Sequence, residues 1–220
     1  MRNFFLSHAF IDFNMGDHCH HQGCQHENIK DDLSKGENSL YSKLDHPKIQ
    51  CLNELIENSG KEIFKPFENR LDKTQFVESD VDEELLVNIP FLGNVKLKSI
   101  VVLGGEGTSH PSEIRLFKNR PTMSFDDTQV EADQTFKLHP DPNGKLDYTL
   151  KATIFSSIYH LTIYIPKNYG STRTKVYYIG LFGDFLRPFR QEIILCNYEA
   201  SANPCDHKVK EDVSNQMQIR

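Results

Sequence analysis

With 220 residues, a net charge of −6 and 25% charged residues, the chain has room for one domain with a sizeable buried core plus polar tails. The acidic balance excludes a nucleic-acid face, which needs clustered basic residues; the stretch holding Arg187 and Arg190 makes no such cluster. No apolar run approaches the roughly 20 residues of a membrane span, and the opening segment carries one arginine and an apolar patch broken by Ser7 and His8, with no small-residue cleavage site.

Residues 1–40 read as a disordered tail with too few apolar residues to bury. Within it, Met15 competes with Met1 as the start of the polar leader. The patch of His18, Cys19, His20, His21, Cys24 and His26 offers zinc-type ligands, but no second pair lies downstream to close a site, so no metal or cofactor is expected. The five cysteines (Cys19, Cys24, Cys51, Cys196, Cys205) are odd in number and scattered, and no Asn-x-Ser/Thr acceptor occurs. A reducing home in the cytoplasm, the nucleus or both is expected.

Apolar periodicity then begins, and the dominant period is two, the strand signature. The expected organisation is a domain spanning 41–207 followed by a polar tail, 208–220. Residues 49–52 fit a strand or a helical turn, and 64–71 a short helix. Leu85, Val87, Ile89 and Phe91 fall on one strand face, and Val95 and Leu97 alternate with lysines. Ile100-Val-Val-Leu103 is continuous, as in a strand covered on both faces or kinked by a bulge. Ile114 and Leu116 alternate with polar residues. Further strands are expected at 136–138, 146–150, 159–165, 175–182 and 192–198, with turn signals at Gly104-Gly105, 119–121, 140–144, 166–170 and Gly183. Many short strands without a long amphipathic helix predict an all-β sandwich or jelly roll.

Four constellations hold chemistry-bearing residues. The run Glu78-Ser-Asp80-Val-Asp82-Glu83-Glu84 lacks the glycine and closing glutamate of a calcium loop and reads as an acidic turn. Gly104-Gly-Glu-Gly107-Thr-Ser109 has no lysine before its hydroxyl residues, so it is no phosphate-binding loop and reads as a mobile connection. His160 shares a strand face with Thr162 and Tyr164 and reads as a rim residue. Asp126 and Asp127, adjacent on a strand, would point to opposite faces. No nucleophile, base and orienting acid come together, so the chain reads as a non-enzyme. The segment Phe185-Leu186-Arg187-Pro188-Phe189-Arg190 differs, since it places aromatic and arginine residues in an expected loop between strands. Phe185, Leu186, Arg187, Phe189 and Arg190 are therefore the candidate partner-binding residues, with packing of both phenylalanines as the competing reading.

Seven strings in order carry a resemblance: Cys51-Leu-Asn-Glu54, Glu78-Ser-Asp-Val-Asp-Glu-Glu-Leu-Leu86, Asn88-Ile-Pro-Phe91, Val95-Lys-Leu-Lys-Ser99, His110-Pro-Ser-Glu-Ile114, Met123-Ser-Phe-Asp-Asp127 and Asn197-Tyr-Glu-Ala-Ser-Ala-Asn-Pro204. Together they resemble the PITH domain family. The resemblance implies a galactose-binding-like jelly-roll β-sandwich, and it implies a protein partner, the proteasome or a related ubiquitin-pathway assembly. It supplies no catalytic residues. Longer members place the domain after a thioredoxin domain, whereas this chain contains no Cys-x-x-Cys. The expectation is a monomeric, non-catalytic protein-interaction module that binds neither nucleic acid nor membrane. The alternative is a carbohydrate-binding jelly roll using Tyr169, Phe182 and Phe185, although the chain has no Trp.

Overall fold

One 20-residue strand, β3 (Leu85–Gly104), carries the architecture of the computed structural model, which describes residues 36–189. Around it run β1 (Gln50–Leu52), β2 (Val77–Glu78), β4 (Pro111–Lys118), β5 (Gln134–Lys137), β6 (Tyr148–Thr149), β7 (Ile158–Asn168) and β8 (Lys175–Pro188), with a one-turn helix α1 (Ser59–Glu62). The first half of β3 pairs antiparallel with β1 on one side and β7 on the other. The second half pairs with β8 and β6. Register breaks between Pro90 and Val95, and a strand that loses register there can turn out of its first layer into a second. One layer is then β1–β3–β7–β4–β5 and the other β2–β8–β3–β6, joined through β3.

Side-chain alternation fills the space between the layers. Leu85, Val87, Ile89, Phe91, Val95 and Leu97 all enter the central cluster, together with Ile163 and Ile165 of β7 and Val176, Ile179 and Leu181 of β8. The inward phase then slips by one. Leu97 pairs with Gly183 but Ser99 with Phe182, so Lys98 is an extra residue, and beyond it Ile100 and Val102 point inward. Val101 and Leu103 instead pack with Phe67, Tyr178 and Phe182 on the outer face. The 100–103 run is therefore covered on both sides and runs in unbroken register, with the bulge just before it at Lys98.

The other layer is covered as well. Leu86, Phe117, Met123 and Tyr164 form a third cluster beneath the 119–133 connection. Within this layer Thr162 donates to Asn88 Oδ1 at 2.9 Å, and Asn88 Nδ2 donates to the Met123 carbonyl at 2.9 Å, all three residues being buried. Thr162→Val removes a donor and leaves a buried amide oxygen unpaired, so a loss of about 1–3 kcal/mol is expected in urea unfolding. An unchanged midpoint would show that the bond carries no stability.

Several sequence expectations shift. Residues 50–52 form a strand, and only Phe67–Asn69 of the 64–71 stretch is helical, as a 3-10 turn. The 146–150 strand shrinks to Tyr148–Thr149 because the Asp141 carboxylate accepts the Asn143, Lys145 and Leu146 amides and curls the chain before it. Gly183 is no turn but an interior residue of β8; a Cβ there would stand 2.1 Å from the Lys96 carbonyl oxygen, so close backbone approach requires glycine. The expected strand at 192–198, the His18–His26 patch and Arg190 lie outside the described residues.

Candidate functional site

The segment expected to be a loop at 185–190 is, through Pro188, the end of β8. Gly93 pairs with Pro188, Asn94 with Arg187 and Val95 with Phe185. Leu186 is therefore the extra residue of a bulge, which turns it out to solvent. Gly93 makes the pairing possible, since a Cβ there would meet the Arg187 carbonyl oxygen at 2.2 Å. Past the strand end the Phe189 amide donates to the Leu92 carbonyl at 3.3 Å. The Phe189 ring meets Tyr159 edge-on, with centroids 6.3 Å apart. Tyr159 is itself held by its amide, which donates to Asn119 Oδ1 at 2.9 Å.

The result is a set of large apolar side chains left half-exposed on hydrogen-bonded backbone: Leu92 47%, Tyr159 40%, Leu186 50% and Phe189 49%. Phe185 turns the other way. It packs against the central cluster, and the Lys43 ammonium sits 5.1 Å from its ring centroid. Arg187 is exposed, and Lys96 lies on the adjoining rungs of β3 opposite Asp184, whose carboxylate is held by Lys98 at 2.7 Å. Lys96 and Arg187 thus give a basic rim on a chain whose net charge is −6. Of the candidate residues, then, Leu186, Arg187 and Phe189 are presented to solvent together, while Phe185 supports the fold. Leu92 and Tyr159 were missed by sequence reading; the one local signal was a leucine on the polar face of β3, in phase with Asn94 and Lys96.

The remaining constellations are structural. The acidic run is a folded turn: Ser79 is fully buried, accepting the Thr174 amide at 2.9 Å, and Asp82 accepts the Glu84 amide and the Asn53 side chain. Asp126 and Asp127 lie in a 3-10 turn and not a strand, and Asp127 accepts the Ser124 amide and hydroxyl. Among the described residues no three His, Cys, Asp or Glu side chains are grouped to hold a metal. Burial, with Glu54 beside it, pushes the Cys51 thiol far above its ordinary range, so it stays protonated and unreactive. The three aromatics of the carbohydrate reading do not share a platform. Phe182 is buried against Phe67, Phe185 packs inward, and the exposed Tyr169 spends its hydroxyl on the Leu138 carbonyl.

His160 is buried and not at the rim, because the 119–133 connection crosses its face and Asn119 donates to its carbonyl at 2.8 Å. Burial lowers the pKa of His160 and likewise of His110. Each ring binds fewer protons folded than unfolded once pH falls below the ordinary histidine value of about 6.5. Their contribution is complete above that pH and is lost on acidification toward the depressed folded values. The urea midpoint should therefore drop between pH 7.5 and 5.5, where the lowered carboxylates Asp72, Glu106 and Asp127 do not yet titrate. A flat profile over that window would contradict neutral burial of the two rings.

Comparison with known proteins agrees with this geometry. The PITH domain family profile matches residues 30–202. PITH domain-containing protein 1 of Xenopus laevis is 55% identical over 196 residues, covering 88% of this chain and 94% of the relative. The Homo sapiens protein of the same name is 58% identical over 170 residues, covering 77% and 81%. Among solved structures, the CBM32-1 and CBM32-2 domains of Clostridium perfringens ZmpB, in complex with GalNAc, superpose with a TM-score of 0.54 at 9% identity. That match covers 72% of this chain and 40% of the other, and it is a likeness of fold. The sandwich is a galactose-binding-like jelly roll, and the chain belongs to the PITH domain family.

Proposed function

We propose that this chain is a non-catalytic protein-interaction module that docks on the proteasome or a related ubiquitin-pathway assembly, acting as a monomer in the cytoplasm or nucleus. The observation that carries the reading is the strip Leu92, Tyr159, Leu186 and Phe189 beside Arg187 at the bulged end of the β3–β8 pair. Aromatic and arginine anchors dominate binding energy at protein interfaces. Paired backbone holds these side chains in place before binding, so little ordering entropy opposes association. The basic rim selects a partner surface with an apolar groove bordered by carboxylates, which is a protein surface and not a sugar.

The test is binding of the full chain to purified 26S proteasome by biolayer interferometry, run beside a glycan array. Saturable binding that weakens with salt, and no glycan signal, is the expected result. Glycan binding without proteasome binding would overturn the reading.

A further inference from the structure

Tyr159 sits at a gap in the sheet. On the β3 side, Pro90 lies opposite His160 and Val95 opposite Ile158, so the register skips Tyr159 where residues 91–94 intervene. On the other side β4 ends at Lys118, whose rung partner is Leu161, and Asn119 is the next residue. Asn119 closes that side with two bonds of different kinds. Its backbone amide donates to the His160 carbonyl at 2.8 Å, and its side-chain Oδ1 accepts the Tyr159 amide at 2.9 Å. A side-chain oxygen thus stands in for a backbone carbonyl just past the end of the ladder.

The backbone after β4 holds Asn119 to that task. Asn119 is left-handed, with φ 54°, a conformation that asparagine tolerates and that turns the chain out of the sheet. Thr122 is left-handed as well, with φ 57°, where a β-branched residue is an outlier. Strain of this kind persists where the surroundings over-determine the conformation. Asn119 pins the turn at one end, and the Met123 carbonyl, which accepts Asn88 Nδ2 at 2.9 Å, pins it at the other. The Tyr159 amide is therefore tied to a fixed point. Its half-exposed ring meets Phe189 edge-on, with centroids 6.3 Å apart.

We infer that Asn119 is a positioning residue of the docking strip, setting Tyr159 and Phe189 in one arrangement before a partner arrives. This role rests on the strip being the docking surface. Without the Oδ1 acceptor the Tyr159 backbone lies between a register break on one side and a strand end on the other. Its ring then samples several arrangements against Phe189, and a partner must order them on binding. The loss falls on affinity, because the ring is half-exposed and contributes little to the core.

The test uses two variants of the full chain. Asn119→Gly keeps the left-handed backbone and the bond to His160 and deletes only the side-chain acceptor. Asn119→Asp keeps an acceptor oxygen. The nuclear Overhauser contact between the Tyr159 and Phe189 rings should be present in the wild-type chain, lost in Asn119→Gly and restored in Asn119→Asp. Asn119→Gly should bind purified 26S proteasome about threefold to tenfold more weakly, the factor for one or two side chains that must be ordered on binding. An unchanged ring contact or an unchanged affinity in Asn119→Gly, beside a wild-type chain that binds, overturns the positioning role and leaves docking intact. No binding by the wild-type chain overturns docking itself, and the role of Asn119 falls with it. Should Asn119→Gly not fold, the wild-type chain decides: rapid hydrogen exchange of the Tyr159 amide, or no contact between the two rings, overturns the assignment.

Discussion

Phe155→Ala should remove about 3–5 kcal/mol of stability, a large share of what a domain of this size possesses. Phe155 is fully buried in the cluster between the layers. Its carbonyl accepts the Leu97 amide at 3.0 Å, which ties the connection before β7 to the centre of β3. Truncation leaves a void facing both layers, and the bulged register of β3 on either side limits collapse into it. The melting temperature should fall by about 6–20 °C, at about 2–4 °C for each kcal/mol. Urea unfolding followed by circular dichroism checks this, and a loss below about 1 kcal/mol would show that Phe155 is not a core residue.

The second large effect separates the two phenylalanines near the end of β8. Phe189→Ala removes an exposed anchor, so affinity for the proteasome should fall by about 2–4 kcal/mol while stability changes by less than about 0.5 kcal/mol. Arg187→Ala should behave alike, with the smaller loss of about 1–2 kcal/mol and a reduced dependence on salt. Phe185→Ala should show the reverse pattern. Its ring packs on the central cluster beneath Lys43, so truncation should cost about 1–3 kcal/mol of stability, less than at Phe155 because the side chain is only partly buried. Melting temperature and affinity measured together on the three variants separate anchoring from packing. A Phe189 variant that melts early, or a Phe185 variant that is fully stable, would exchange their roles.

The layered β architecture was legible because burial writes a period of two into β3, where residues 85, 87, 89 and 91 line one face. The run at 100–103 announced double coverage for the same reason. Local chemistry misled at the end of β8. Gly183 read as a turn and 185–190 as a loop, yet Gly183 serves the close approach to Lys96, and Pro188 closes the last rung opposite Gly93. Which residues gather around the strip was not legible. Leu92, Tyr159 and Phe189 come from β3, β7 and the end of β8, and only long-range pairing brings them together. His160 misread for a related cause, since its cover arrives from a connection roughly 40 residues earlier in sequence, and Asn119 is the contact that shows it. The seven family strings, by contrast, fixed the fold class without any knowledge of these contacts.

The measurement that bears most directly on the proposed interaction module is a binding isotherm of the wild-type chain and Phe189→Ala against purified 26S proteasome. The wild-type chain should saturate, and the variant, folded with an unchanged melting temperature, should bind at least about tenfold more weakly. Equal isotherms for the two proteins, or no binding by either, would contradict docking through the strip at the end of β8.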